Sequence, residues 1–284
     1  MLDEEKWFTE ICEEAGSAFS LRIERKLHEE HTPYQRIEIY ETTDFGNLMV
    51  IDGFIMLSAR DNFFYHEMMA HPVLFTHPDP KRVCIIGGGD CGTLREVLRH
   101  KGVKKVWQIE IDEQVTRLAE RYFPELCEAN ADPRVKFRFT DGIEWMRQAK
   151  ADSLDIVIVD STDPIGPAEG LFTEAFYRDC LNALSDGGLL IQQSESPLIH
   201  MDILLPMRKA MAAAGAADVK TLFFPQCVYP SGWWSATLAR KGGPIEGFRH
   251  KDVAKRAFPT RYYNEAIHQA ALAMPAFFLE RVRG

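Results

Sequence analysis

The residues of this chain best suited to chemistry are carboxylates set beside glycines and turn formers. Gly87-Gly88-Gly89-Asp90-Cys91-Gly92 matches G-x-G-x-x-G, and Glu110 lies 18 residues beyond Gly92. Glycines at that spacing let backbone approach a ligand closely, and an acid at that distance suits ribose hydroxyls. The pattern predicts a nucleoside. Asp90 sits inside the loop, where a carboxylate would repel the pyrophosphate of a dinucleotide. A cationic ligand reverses the sign, so an adenosyl sulfonium fits better than a nicotinamide.

Further acids follow at Asp141-Gly142, at Asp160-Ser161-Thr162-Asp163-Pro164 and at Glu195. Asp141 suits two roles, acceptor for an adenine amino group or N-cap of a helix, and one Asp does not easily fill both. Two acids around Ser161-Thr162 point to an amine acceptor. With an amine pKa of about 10.4, roughly one amine in 2,500 is neutral at pH 7, and drawing on that pool costs about 4.6 kcal/mol. One acid would take the proton of the attacking amine and another would hold a distal ammonium. Asp163 reads equally as the former of an Asp-Pro turn. Tyr65, Tyr229, Trp233 and Trp234, read in loops or at strand starts, offer faces to an alkyl-ammonium chain, although the two tryptophans read more readily as core. His66, His71, His100 and His200 lack metal-type spacing, so each reads as structural or hydrogen-bonding.

These residues need elements to hold them. The N-terminal part reads as β-rich: 36–42 alternates apolar and polar, and 47–51 and 54–58 flank Asp52-Gly53, a strong hairpin signal. From about residue 82 the rhythm changes to strands at 82–86, 105–111, 135–139, 154–159 and 188–192. Amphipathic stretches at 92–100, 112–122, 142–149 and 171–184 lie between them. That order predicts an α/β fold, a parallel sheet covered on both faces, with ligands beyond the strands' carboxyl ends. Acids follow all five strands. Residues 219–239 read as two more strands, and Asn264 as the cap of a last helix that Pro275 interrupts or ends.

Composition narrows the class. A chain of 284 residues with 46% hydrophobic and 26% charged residues is globular. A net charge of −9 argues against nucleic acid and anionic membranes. Six cysteines form no C-x-x-C pair, and no apolar stretch approaches a membrane span. The start reads as free of a secretory signal, so a reducing cytoplasm is expected.

Taken together, YQRIEIYET, GNLMVIDG, YHEMMAHP, IIGGGDCGTLREV, EIDEQV, DGIEWM, DSTDPIGPAEGLFTEAFY and YPSG resemble the spermidine synthases, a family of polyamine aminopropyltransferases. The resemblance runs from Trp7 to the stretch at 261–275, and DSTDPIGPA is its most specific piece. It implies a Rossmann-like, methyltransferase-type sheet (63–284) after a small N-terminal β-domain (1–62). It implies transfer of an aminopropyl group from decarboxylated S-adenosylmethionine to putrescine, giving spermidine and 5′-methylthioadenosine. Neither a metal nor a cofactor is implied, since the donor is a co-substrate. Carried over, Asp160 is the proton acceptor and Asp90 holds the donor's amino group. Glu110 takes the ribose, Asp141 with Gly142 the adenine, and Gln35 and Pro167 also touch the nucleoside. Tyr65, His66, Asp163 and Tyr229 line the amine groove, to which Asp90, Asp160 and Ser161 also belong. A homodimer or homotetramer is implied, often through the N-terminal strands.

The chain departs from the family's common pattern at Cys91, usually a small residue, and at Met56–Asn62, which leaves the acceptor amine open. Two other readings compete: a methyltransferase of the same fold, and a non-catalytic polyamine-binding protein with a relict pocket. Asp90 opposes the first, because it would repel the carboxylate of S-adenosylmethionine. The retained Asp160 and Asp163 oppose the second.

Overall fold

In the computed structural model, residues 2–13, 15–164 and 166–283 are described. Strands β1 (Trp7–Cys12), β2 (Ser17–His31), β3 (Arg36–Thr42), β4 (Asn47–Ile51) and β5 (Phe54–Ser58) form an antiparallel sheet in chain order. Asp52 and Gly53 make the expected hairpin with φ of 51° and 92°, and Ile51 pairs with Phe54. Two positive φ values give the turn a twist that matches the strands it joins.

Strands β1 and β2 had no clear signal in the sequence. Along the 15 residues of β2 only Leu21 is buried, and register shifts between Ile23 and Arg25 and between Lys26 and His28 break the alternation. Helix α1 (Phe63–Thr76) follows, and it too lacked a readable period. Every residue from Tyr65 to Phe75 is buried, so no polar face marks it as a helix.

The second sheet contains β6 (Arg82–Gly87), β7 (Lys105–Glu110), β8 (Val135–Phe139), β9 (Leu154–Asp160), β10 (Leu184–Gln193), β11 (Asp218–Pro225) and β12 (Trp233–Arg240). Their spatial order is β11-β12-β10-β9-β6-β7-β8, with β12 antiparallel to both its neighbours and the pairs from β10 to β8 parallel. The helices between them are α2 (Gly92–Leu98), α3 (Glu113–Tyr122), α4 (Gly142–Arg147), α5 (Glu174–Ala183) and α6 (Met201–Ala213). Helices α7 (His250–Ala254), α8 (Glu265–Ala271) and α9 (Ala276–Arg283) close the chain.

Alternate residues of the central strands enter opposite cores. Val83, Ile85, Ile156, Ile158, Leu189 and Ile191 join one cluster with α1 and α2, while Cys84, Ile86, Val157, Val159 and Leu190 join another with α5. Burial on both faces explains the unbroken apolar runs in these strands. The N-terminal sheet docks on α3, where Ile37, Ile39, Met49 and Leu57 pack against Val115, Leu118 and Phe123.

Some expected boundaries move. The stretch read as one helix at 171–184 is a 3-10 segment, Gly166–Phe172, followed by α5. Extended Thr173 separates them and caps α5 by accepting the Phe176 N–H. The fifth strand begins earlier than expected, at Leu184, with an irregularity before Leu189. Asn264 caps α8 by accepting from the Ile267 N–H at 3.0 Å, and the chain passes through Pro275 into α9.

Candidate active site

Strand order reverses between β6 and β9, and a cavity of about 210 Å³ opens at their carboxyl ends. Open α/β sheets offer such a crevice wherever successive crossovers run in opposite directions. Asp160, the last residue of β9, lines this cavity. The Tyr65 hydroxyl donates to its Oδ1 and the Thr93 hydroxyl to its Oδ2, each at 2.6 Å. Burial, then the negative charge of Asp90, raises the Asp160 pKa despite these two bonds. A carboxyl raised in this way is a better proton acceptor than an exposed aspartate.

The glycine loop wraps this carboxylate. Gly88 has a φ of +64°, and its N–H donates to the Asp160 carbonyl at 2.6 Å. A Cβ at Gly88 would fall 2.7 Å from Asp160 Oδ2, so only glycine allows the approach. The side-chain amide of Gln108, buried in β7, donates to the carbonyls of Gly87 and Gly88. Nothing in the sequence had singled out Gln108.

Asp90 Oδ1 accepts the Gly92 N–H at 2.6 Å and lies 3.2 Å from His66 Nε2. Burial opposes ionisation of Asp90, yet the His66 charge and bond, the Gly92 bond and Arg95 together bring its pKa below the usual value. His66 is buried, and it is absent from the cavity wall. It backs Asp90, whereas Tyr65, Asp163, Ser161 and Tyr229 all line the wall. Tyr65 does so from helix α1, not from a loop or strand start.

Glu110 ends β7, and its Oε1 accepts the Asp112 N–H at 2.9 Å. Burial pushes its pKa up to about 7, against that backbone bond. Asp112 caps α3 through Gln114, and its Oδ2 accepts from Thr32 at 2.7 Å and from the Gln35 amide at 3.0 Å. Gln35 therefore reaches the cavity wall already held by Asp112. Asp141 caps α4, accepting Ile143 N–H at 2.7 Å and Glu144 N–H at 3.4 Å. Both bonds end on Oδ1, so the cap uses one of the two carboxylate oxygens. Gly142 lines the same wall. The Pro167 side chain lies outside the described residues.

A recess of about 40 Å³ continues from the Asp163 side, walled by Glu10, Asp163, Gln193, Tyr65, Tyr229 and Trp234. Tyr229 meets Tyr65 at 5.9 Å and Trp234 at 4.7 Å between ring centroids. Burial, then the Glu195 charge, holds the Asp163 pKa well above normal. Trp234 belongs to the core and also edges this recess, and Trp233 packs on Phe223 away from it.

Glu10 had not been recognised in the sequence. It is 5% exposed, its Oε2 accepts the Ile55 N–H at 2.7 Å, and burial pushes its pKa up to about 7. The signal was present in β1, where Glu10 and Cys12 face inward and Ile11 faces solvent, 58% exposed. A strand that buries its acid and exposes its isoleucine inverts the usual alternation.

The wall of the larger cavity carries Asp52, Asp90, Glu110, Asp141, Asp160 and Asp163, and no lysine, arginine or histidine among the described residues. Such a cleft focuses negative potential and selects cations. No group of three or more His, Cys, Asp and Glu with metal-binding geometry occurs among the described residues, and His71 instead pairs with His100 and Glu96 in the core. No helix among the described residues is long and apolar enough to cross a membrane.

Comparison with known proteins agrees with this geometry. Residues 62–246 match the spermine/spermidine synthase domain, and residues 6–59 match the spermidine synthase tetramerisation domain. The polyamine aminopropyltransferase of Nitrosococcus oceani is 65% identical over 276 residues, 97% of this chain and 96% of its own. That of Methylococcus capsulatus is 61% identical, covering 100% and 99%. A spermidine synthase solved with the transition-state analogue AdoDATO superposes with a TM-score of 0.95 at 35% identity, covering 99% of this chain and 96% of that one. The spermidine synthase of Thermotoga maritima gives 0.92 at 35% identity, covering 98% and 94%.

Proposed function

The chain belongs to the spermine/spermidine synthase family and is an aminopropyltransferase, and we propose that it moves the aminopropyl group of decarboxylated S-adenosylmethionine onto putrescine. The products are spermidine and 5′-methylthioadenosine. The observation that carries this reading is the cavity wall of six carboxylates without a basic side chain, continued by the acidic recess around Glu10 and Asp163.

The donor's nucleoside lies between Glu110, Gln35, Asp141 and Gly142, with Glu110 accepting from the ribose hydroxyls. Asp90 takes the aminopropyl ammonium. The acceptor amine enters past Tyr65 and Tyr229, its near nitrogen at Asp160 and Ser161 and its far ammonium toward Asp163. The nitrogen lone pair attacks the carbon beside the sulfonium, the carbon–sulfur bond breaks, and its electrons neutralise the sulfur. Asp160 accepts the proton that the amine gives up. Positive sulfur is already a good leaving group, so the step needs no metal or redox cofactor. Holding both substrates in line supplies much of the acceleration.

The match of residues 6–59 to a tetramerisation domain supports a homodimer or homotetramer built through the N-terminal sheet. Unpaired thiols such as Cys84 and Cys180 suit a reducing cytoplasm.

The test is a mass-spectrometric assay with decarboxylated S-adenosylmethionine or S-adenosylmethionine against putrescine, cadaverine, agmatine and spermidine. Spermidine and methylthioadenosine from the decarboxylated donor and putrescine are expected. Preference for another amine would overturn the acceptor, and turnover with S-adenosylmethionine alone would overturn the role of Asp90.

A further inference from the structure

We propose that His200 is a positioning residue for the acceptor amine, fixing from behind the walls of the recess that holds Glu10 and Asp163. The inference rests on the proposed reaction, which places the far ammonium there. His200 precedes α6, and neither it nor Glu195 lines the recess. Its imidazole nevertheless touches three segments that do supply the wall. Nδ1 lies 3.3 Å from Oε2 of Glu195, two residues beyond the end of β10. Nε2 lies 4.0 Å from Sγ of Cys12, which ends β1 two residues after Glu10. The ring meets Trp234, near the start of β12, edge to face at 6.2 Å between centroids.

Glu10, Gln193 and Trp234, the wall residues on these segments, therefore share one support. Strand β1 belongs to the N-terminal sheet, whereas β10 and β12 belong to the second. His200 thus joins the two sheets at the amine recess, and its contacts set how deeply Glu10 enters relative to Gln193.

Glu195 passes that support on to Gln193. It is fully buried, at a φ of +62°, a left-handed conformation that persists in a glutamate only where its surroundings hold it. The Ser235 hydroxyl donates to its carbonyl at 2.8 Å, and its own N–H donates to Gln193 Oε1 at 3.2 Å. Gln193 Nε2 donates in return to Glu195 Oε1 at 3.0 Å. One carboxylate oxygen is thus given to Gln193 and the other to His200. The paired bonds settle which end of the Gln193 amide is oxygen, and they leave it one N–H and one lone pair, the latter suited to an ammonium. Without His200, Oε2 loses its contact inside the protein, a cost that rotation of the carboxylate relieves. That rotation takes the Gln193 amide out of its place in the wall.

The experiment compares His200→Ala, His200→Gln and His200→Asn with wild type in the full-length protein. Asparagine places an N–H where Nδ1 stands, and glutamine places one where Nε2 stands, so only asparagine keeps the contact with Glu195. Steady-state kinetics with each substrate varied in turn is read beside calorimetry of putrescine in the presence of methylthioadenosine. The expected result is a putrescine KM and Kd raised about tenfold in the alanine and glutamine variants, the loss of one hydrogen bond made by the ammonium. Donor KM should stay within about twofold, and asparagine should restore putrescine KM to within about threefold of wild type. A rise of both KM values together, or an asparagine variant no better than glutamine, would overturn the positioning role. The comparison of asparagine with glutamine stands even where the alanine variant does not fold. Wild type that binds putrescine without forming spermidine would overturn the reaction alone, and the putrescine Kd values would then decide the role of His200. Wild type that binds no diamine would overturn both.

Discussion

The Tyr65 hydroxyl reaches Oδ1 of Asp160 at 2.6 Å from a helix buried on every side. The central carboxylate is therefore oriented by α1, the first element after the N-terminal sheet, and not only by its own strand. Thr93, at the start of α2, holds the other oxygen. Three elements thus fix both oxygens of the carboxylate to which the proposed reaction gives the amine's proton.

Tyr65→Phe tests that arrangement. A hydrogen bond to a charged group contributes about 1.5–3 kcal/mol, so kcat should fall about tenfold to a hundredfold. The bond stabilises the ionised carboxylate, so its loss raises the Asp160 pKa further. The acid limb of the kcat profile should move to higher pH while methylthioadenosine still binds. A lower kcat with an unmoved limb would leave Tyr65 a packing residue only.

Glu110→Gln should separate a stability effect from a binding effect. The Glu110 pKa is raised from 4.5 to about 7 by burial. Between those values the folded chain holds a proton that the unfolded chain has lost, so wild-type stability declines as pH rises through the window. The total is about 3 kcal/mol at 1.36 kcal/mol per unit. Glutamine does not titrate, so the variant should gain on wild type by about that amount between about pH 5 and pH 8. It should also bind methylthioadenosine more weakly. Denaturant titrations of both proteins at the two pH values read the first effect, and a flat difference would contradict the buried, protonated state.

Much of this site was legible because each acid follows a strand whose apolar run is unmistakable. Ile156–Val159 leads to Asp160, and Val106–Ile109 to Glu110, with both faces of the sheet covered. The hairpin at Asp52-Gly53 was equally plain, since few sequences tolerate two positive φ values. What escaped were elements whose surroundings differ from the usual one-sided pattern. Helix α1 is buried all round, β2 is exposed nearly all along, and Glu10 is an acid on an inward face. His66 was legible as a residue of the site, but its place behind Asp90 depends on how close α1 comes to the glycine loop. A Cβ at Gly92 would lie 2.1 Å from the His66 ring.

Glu67, next to His66 on α1, fixes the C-terminal segment. Its buried carboxylate accepts the N–H groups of Arg261, Tyr262 and Tyr263 at 2.7, 2.9 and 2.7 Å. Glu67→Ala strands three donors at once, and a loss of about 3–5 kcal/mol is expected on chemical denaturation. Glu67→Gln keeps one acceptor oxygen and should lie between. Hydrogen exchange should quicken first at 261–263. Equal stability of the alanine variant and wild type would mean that water replaces all three bonds.

Glu10 carries the N-terminal sheet into the recess beside Asp163, the end proposed to hold the amine. Its carboxyl lies in the recess shared with Asp163, and burial, then the charge of Asp163 against the Ile55 N–H bond, leaves its pKa at about 7. Below that value it is neutral and above it negative, so attraction for a distal ammonium grows as pH rises through about 7. Acceptor KM should fall over the same interval. Glu10→Gln keeps an oxygen for the Ile55 N–H but carries no charge at any pH. Loss of one charged hydrogen bond of about 1.5 kcal/mol should raise putrescine KM about tenfold and flatten its pH dependence. Donor KM should stay within about twofold, because Glu10 is absent from the wall that carries Glu110 and Asp141. Steady-state kinetics with each substrate varied in turn reads both quantities. A variant that raises both KM values equally would show that Glu10 supports the fold of the whole cavity instead of recognising the amine.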